Sequence, residues 1–157
     1  MKAEYANPFI RSAKLIFEKE IKINLTRKDL VKKEKPAPTL PVSIVIGVTG
    51  PVKGQVVYSM DDNFAYSVAK AMMPNKLPNE IRKMINSAVS EVANMITGRA
   101  SIEMAGENDM IDITPPAVFT GPGIRMDFLN IPTISLSFLS EIGILEINVA
   151  LTEGKRG

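Results

Sequence analysis

The stretch NEIRKMINSAVSEVANMITGRASIEM, residues 79–104, carries the longest helical pattern in the chain, and the rest of the sequence is organised around it. At about 100° of rotation per residue, Ser87, Glu91, Asn94 and Gly98 fall within an arc of roughly 60°. Met84, Ala88, Val92, Met95 and Ile96 spread over an adjoining apolar face, while Lys83, Asn86, Ser90 and Thr97 take the opposite, wetter side. The polar line is therefore expected at the border between core and solvent. A carboxylate and an amide one turn apart there can reach a partner while the helix fixes their geometry. Polar residues at this spacing most often form only a solvated face, so the line alone does not define a site.

Upstream, Leu77-Pro78-Asn79-Glu80 opens this helix, with Asn79 as its cap. Asp61-Asp62 caps a shorter one from Asn63 to about Met73, with Phe64, Val68, Ala71 and Met72 inward and Pro74 as its stop. Before it, Val42 to Val48 reads as a buried strand that returns through Thr49-Gly50-Pro51-Val52-Lys53-Gly54 into Gln55 to Met60. This predicts a hairpin with a four- to five-residue loop. The loop's glycines are not followed by Gly-Lys-Ser/Thr and join two strands, so phosphate cradling is not expected. Asn7-Pro8 predicts the start of a first helix, Asn7 capping it, with Phe9, Ala13, Ile16 and Phe17 on its apolar face and its end near Lys22. Between that helix and the hairpin, residues 26–41 are charged and end in three prolines, and they read as a basic, solvated connector.

Downstream, the long helix is expected to fray near Gly106-Glu107-Asn108. Strands are then expected over Met110 to Thr114, Ala117 to Phe119, Ile124 to Leu129, Thr133 to Phe138 and a last run that turns Leu145, Ile147, Val149 and Leu151 inward, with Glu146 and Asn148 outward. Gly121-Pro122-Gly123 is a turn, and Gly154-Lys155-Arg156-Gly157 a frayed tail. Runs of strands rather than strict βαβ units predict an α+β fold: a mostly antiparallel five- to six-stranded sheet with three helices packed on it, in the order α-β-β-α-α-β-β-β. The 157 residues read as one domain, 1–157.

The chain has neither Cys nor His. This excludes disulfides, Cys/His zinc sites, cysteine nucleophiles and histidine general bases. Any chemistry runs on carboxylates, amides, hydroxyls and lysines, or on groups brought by a partner. Acidic pairs exist at Asp61-Asp62 and at Asp109 with Asp112, but neither has the Asp-x-Asp spacing of a self-contained aspartate phosphatase. The net charge of +2 is unevenly placed: residues 1–36 hold ten Lys/Arg against five Asp/Glu, and the remainder nine against twelve. The basic run Arg27 to Lys35 is interrupted by Asp29, Leu30, Val31 and Glu34 and contains no aromatic residue, so nucleic acid is not an expected partner. No segment approaches 18 uninterrupted apolar residues and the N-terminus has no apolar h-region. The expected setting is the cytoplasm, without a membrane partner.

Taken together, these residues resemble the CheC/CheX/FliY family of chemotaxis phosphatases, and within it the CheX members. The family motif is Asp or Ser, three residues, Glu, two residues, Asn, with a proline about twenty residues on. Here it reads Ser87, Glu91 and Asn94, followed by Pro115-Pro116. The hairpin Ile46 to Ser59, the Ala71-Met72-Met73 helix end, Asn94-Met95-Ile96-Thr97-Gly98 and Asp112-Ile113-Thr114-Pro115-Pro116 extend the likeness over residues 5–152. CheC-like members carry the helix motif twice. Only one copy is present here, because the helix at Asp61 contains no Glu-x-x-Asn, and no flagellar-switch domain of the FliY kind is appended.

The resemblance implies hydrolysis of the aspartyl phosphate on a CheY-like response regulator, which brings the phosphoaspartate, its Mg²⁺ and a lysine; this chain needs no cofactor of its own. Asn94 would orient the attacking water and Glu91 would pair with the regulator's lysine, making these two the catalytic residues. Ser87 would add a supporting contact. Gly98 would either let the partner's backbone approach or merely relieve packing within the chain. The resemblance also implies a homodimer joined through sheet edges. A non-catalytic module that binds a response regulator with the same surface is the alternative.

Overall fold

The computed structural model describes residues 3–33, 37–107, 109–128 and 131–154. A short 3₁₀ turn, Ala3–Tyr5, leads into helix α1, Ala6–Ile16, which continues as a π turn over Phe17–Ile21. Lys22, left-handed at φ 64°, ends it. The first helix therefore begins one residue before the expected cap. Asn7 and Pro8 lie in its first turn, where backbone N–H groups have no intrahelical acceptor and a proline costs nothing. Phe9, Ala13 and Phe17 are fully buried, and the rings of Phe17 and Phe64 lie 5.8 Å apart.

The expected connector proves to be largely sheet. Residues Thr26–Lys33 form strand β1, antiparallel to β8, Thr133–Ser140, in the register Leu30 to Leu136 and Lys32 to Ile134. Its charges hid it: an edge strand keeps one flank in water, where Arg and Lys are favoured because they discourage further strand addition. Ala37–Pro38, β2, pairs with Arg125–Met126, β7, in a separate two-stranded ribbon.

Strands β3, Val42–Thr49, and β4, Val52–Met60, form the hairpin. Their last mutual pair is Val48 with Gly54, leaving five residues at the tip as expected. Gly54, at φ 143°, passes so close to the Ala150 carbonyl oxygen that a Cβ would collide with it, so β4 can lie on its neighbour only with glycine there. That neighbour is β9, Gly143–Glu153. With β5, Asp112–Ile113, and β6, Ala117–Thr120, the main sheet has seven strands in the order β1-β8-β9-β4-β3-β5, β6 also pairing with β3. Every described pairing is antiparallel.

The fold is α+β, with one to two more strands in the main sheet than expected. On one face, Ile44, Ile46, Val56, Tyr58, Ile134, Leu136, Phe138, Leu145, Ile147 and Val149 meet the helices in one apolar cluster. Asn148, expected to face solvent, is buried on the other face, near Ser43, Ser59 and Ser135 in strand register. Strand alternation assigned its face correctly, but alternation cannot report what covers that face. Residues 34–36, Asn108, Leu129 and the tail from Lys155 lie outside the described residues, and the readings made there go with them. Among the described residues no helix is long and apolar enough to cross a membrane.

Candidate functional site

Helix α2, Asp62–Met72, starts on Asp61, whose Oδ1 accepts from the Phe64 N–H at 2.7 Å, as its sequence predicts. The long helical stretch is broken once. Helix α3, Pro78–Lys83, ends at Met84 (φ −108°, ψ 3°), and α4 runs from Ile85 to Ala105. Pro78, not Asn79, opens α3, and the Asn79 side chain accepts instead from Arg82 at 3.2 Å.

α4 carries the whole candidate site. It packs against α1 and α2 and over β3 and β4, so both of its flanks are covered. Ala88 meets Ala69 and Ile81 on one side. On another, Thr97 is fully buried, contrary to its expected place on the wet side. Its Oγ1 donates to the Ala93 carbonyl at 2.8 Å, and that hydroxyl has one hydrogen, so the Tyr58 phenol, 2.7 Å away, donates to Thr97. Burial drives the Tyr58 pKa well up, the bond to Thr97 countering only part of it, so the phenol stays a neutral donor. One turn on, Ser101 donates to the Thr97 carbonyl at 2.7 Å. This chain of hydroxyls ties α4 to the central strand β4 at the level of Asn94.

With both flanks covered, the solvent arc of α4 narrows to the line the sequence singled out. Ser87, Glu91 and Asn94 are all exposed and Gly98 is half-buried. The line is the middle of the exposed arc rather than its border, because core lies on both sides of it. Among the described residues, neither the Glu91 carboxylate nor the Asn94 carboxamide has a hydrogen-bond or ion-pair partner in its own chain. Both sit near the middle of a 21-residue helix, far from its fraying ends. Their backbone is rigid while their polar atoms are free for a visitor.

Open space surrounds Gly98: a Cβ built on it meets no atom of the described residues within 4 Å outside its own helix backbone. Glycine in a helix interior costs about 1 kcal/mol relative to alanine. No packing gain among the described residues offsets that cost.

Pro115-Pro116 lies between β5 and β6, both of which touch α4. The segment is latched to β3: Gly47 N–H donates to Thr114 Oγ1 at 2.8 Å and Thr114 N–H to the Gly47 carbonyl at 2.9 Å. A Cβ at Gly47 would press on the Thr114 methyl at 2.9 Å. A groove of about 200 Å³ follows Gly98 along α4, lined by Ile102, Asp109, Met110, Ile111 and Ile113 among others. Sequence reading missed it, although Ile102 continues the Ser87-Glu91-Asn94-Gly98 line one further turn. A roomier cleft, about 540 Å³, opens beyond the C-terminal end of α4, where Arg11 pairs with Glu103 at 3.2 Å. It contains none of the four line residues. Among the described residues no three Asp or Glu side chains gather to hold a metal ion.

The family model described as chemotaxis phosphatase CheX matches residues 42–139, a span that includes the hairpin, α4 and the proline pair. A curated relative, the CheY-P phosphatase CheX of Thermotoga maritima, is 33% identical over 98 residues, which are 62% of this chain and 63% of that protein. The chain thus aligns with less than two thirds of that relative's length. Among solved structures, a chemotaxis protein CheX from Desulfovibrio desulfuricans superposes with a TM-score of 0.83 at 24% identity, over 96% of this chain and 99% of that one. A CheX in complex with CheY, BeF₃ and Mg²⁺, from Borrelia burgdorferi, does so with a TM-score of 0.80 at 24% identity, over 95% and 98%. At these identities the two structures speak for the fold.

Proposed function

This chain belongs to the chemotaxis phosphatase CheX family, and from that premise we propose that it hydrolyses the aspartyl phosphate of a CheY-like response regulator in the cytoplasm. The observation that carries the reading is the free, exposed pair Glu91 and Asn94 on a helix clamped along both flanks. No Cys or His is available to form a phosphoenzyme in the usual ways, so the chemistry fits a helper rather than a self-contained catalyst. An acyl phosphate is already activated. The regulator supplies the aspartate, the Mg²⁺ that neutralises phosphoryl charge, and a lysine; this domain, one site per chain, supplies position.

Asn94 enters the regulator's acidic pocket. Its carboxamide both accepts and donates, so it can hold a water in line with the phosphorus without adding charge. The water oxygen bonds to phosphorus as the bond to the aspartyl oxygen breaks. The aspartate leaves as a carboxylate, and inorganic phosphate is released with the protons of the water shared between phosphate and solvent. Glu91, three residues before Asn94, pairs with the regulator's lysine and fixes the docking register. Ser87 adds one contact a turn earlier. Neither nucleic acid nor membrane takes part.

Turnover separates this reading from that of a module which only binds the regulator. Mixed at one part to fifty with regulator labelled by acetyl phosphate, the protein is expected to clear the whole pool. Release of about one phosphate per chain, or no acceleration, would leave only binding.

The homodimer belongs to the same proposal, and β1 is its edge. β1 is eight residues long and bonded on one side only in the sheet order, with Leu30 and Val31 42% and 51% exposed. The opposite edge is made of two short strands separated by Pro115-Pro116, which lack N–H donors. Light scattering is expected to give twice the 17.2 kDa chain mass, and Leu30→Asp with Val31→Lys to give the single-chain mass. A wild-type monomer at tens of micromolar would exclude this edge as a stable interface.

A further inference from the structure

We propose that the groove running from Gly98 to Ile102 and Met110 is the apolar seat of the response regulator, holding the loops around its phosphorylation pocket and setting affinity rather than rate. The inference rests on the reading of Glu91 and Asn94 given above. Three observations carry it.

Ile102 and Met110 are 77% and 78% exposed, the two most exposed large apolar side chains among the described residues. They line one groove together with the half-buried Ile111 and Ile113. Gly98 lines it too, and the space where its side chain would be is empty of atoms of the described residues outside its own helix backbone. Finally, the groove continues the Glu91–Asn94 line. At 1.5 Å per residue, Gly98 lies about 6 Å and Ile102 about 12 Å along the axis from Asn94. A stable protein interface covers about 800 Å² on each partner, a disc of roughly 16 Å radius. Any regulator whose pocket admits Asn94 therefore spreads over the groove, unless its footprint is displaced wholly toward the start of α4. Two small polar side chains supply register and chemistry, whereas affinity in such interfaces comes from apolar anchors buried near the centre. Gly98 lets the regulator's backbone come down to the helix, and Ile102 and Met110 flank what descends.

The test is the rate of phosphate release against regulator concentration for the full chain. Ile102→Ser with Met110→Ser is expected to raise KM about tenfold or more and leave kcat within twofold. Ile144→Ser, an equally conservative loss of an exposed apolar side chain on the far face of the sheet, should change neither. Gly98→Ala should raise Tm by a few degrees, about what alanine gains over glycine in a helix, and yet raise KM. A wild-type KM in the double variant, or a fall confined to kcat, overturns the seat. A lowered Tm for Gly98→Ala overturns the account of Gly98. Asn94→Ala, run alongside, separates the two levels. If it loses turnover while the groove variants saturate like the parent, only the seat is wrong; if it keeps full turnover, the reading beneath has failed.

Discussion

Asn94→Ala is expected to fold as the parent does and to lose stimulated dephosphorylation by roughly 10²-fold or more, the usual effect of removing one preorganised polar group from a reaction centre. Folding should survive because the side chain is exposed and bonds to no described group of its own chain. Alanine is also the better helix former, so Tm should hold or rise slightly. The loss should fall on kcat. A water that is held in line only when the carboxamide is present is a transition-state contact, and its removal lowers turnover without comparably weakening the docked complex. Phosphate release from labelled regulator, at saturating and at limiting concentration, separates the two constants. An unchanged kcat would remove Asn94 from the mechanism. Unchanged kcat with a raised KM would make it a docking residue instead.

That Asn94 stands where a partner can reach it was legible from spacing alone, but its neighbourhood was not. The helical period placed Ser87, Glu91, Asn94 and Gly98 on one line because 3.6-residue geometry holds wherever a helix is straight. It could not say how wide the exposed arc would be, since that depends on how many elements pack against the helix. α1 and α2 cover α4 from both flanks, so Thr97 went to the core. The strands most strongly patterned, around Ile44, Leu136 and Ile147, emerged where alternation put them. β1 did not, because its partner β8 lies about a hundred residues away and the signal of an edge strand is a mixture of charge and aliphatic residues that also describes a linker. The groove beside Gly98 was illegible for a related reason. Ile102 is on α4, but Met110 and Ile113 arrive there only once β5 pairs with Val48 of β3. Such long-range pairings leave no local trace.

Glu91→Lys should damage docking rather than chemistry. Glu91 shares the exposed line with Asn94 and has no cation of its own chain to satisfy it among the described residues. If it meets the regulator's lysine, replacing it with lysine removes an attraction and installs a repulsion. Two like charges about 4 Å apart near a protein surface cost about 4 kcal/mol, and loss of one partner of a desolvated charged pair costs about 2–5 kcal/mol. The complex is therefore expected to weaken by roughly 10²-fold or more, read as a raised KM and as loss of regulator in a pulldown. Glu91→Gln, which removes the attraction without the repulsion, should fall between. Salt supplies an independent signature: screening weakens attraction and repulsion alike, so added salt should raise the wild-type KM and lower that of Glu91→Lys, bringing the two together. A structural cause would behave otherwise, because an exposed Lys for Glu in mid-helix changes propensity little and Tm should not move. Wild-type affinity for Glu91→Lys would show that this carboxylate faces no cation in the complex. The docking register would then rest on Ser87, Asn94 and the apolar groove alone.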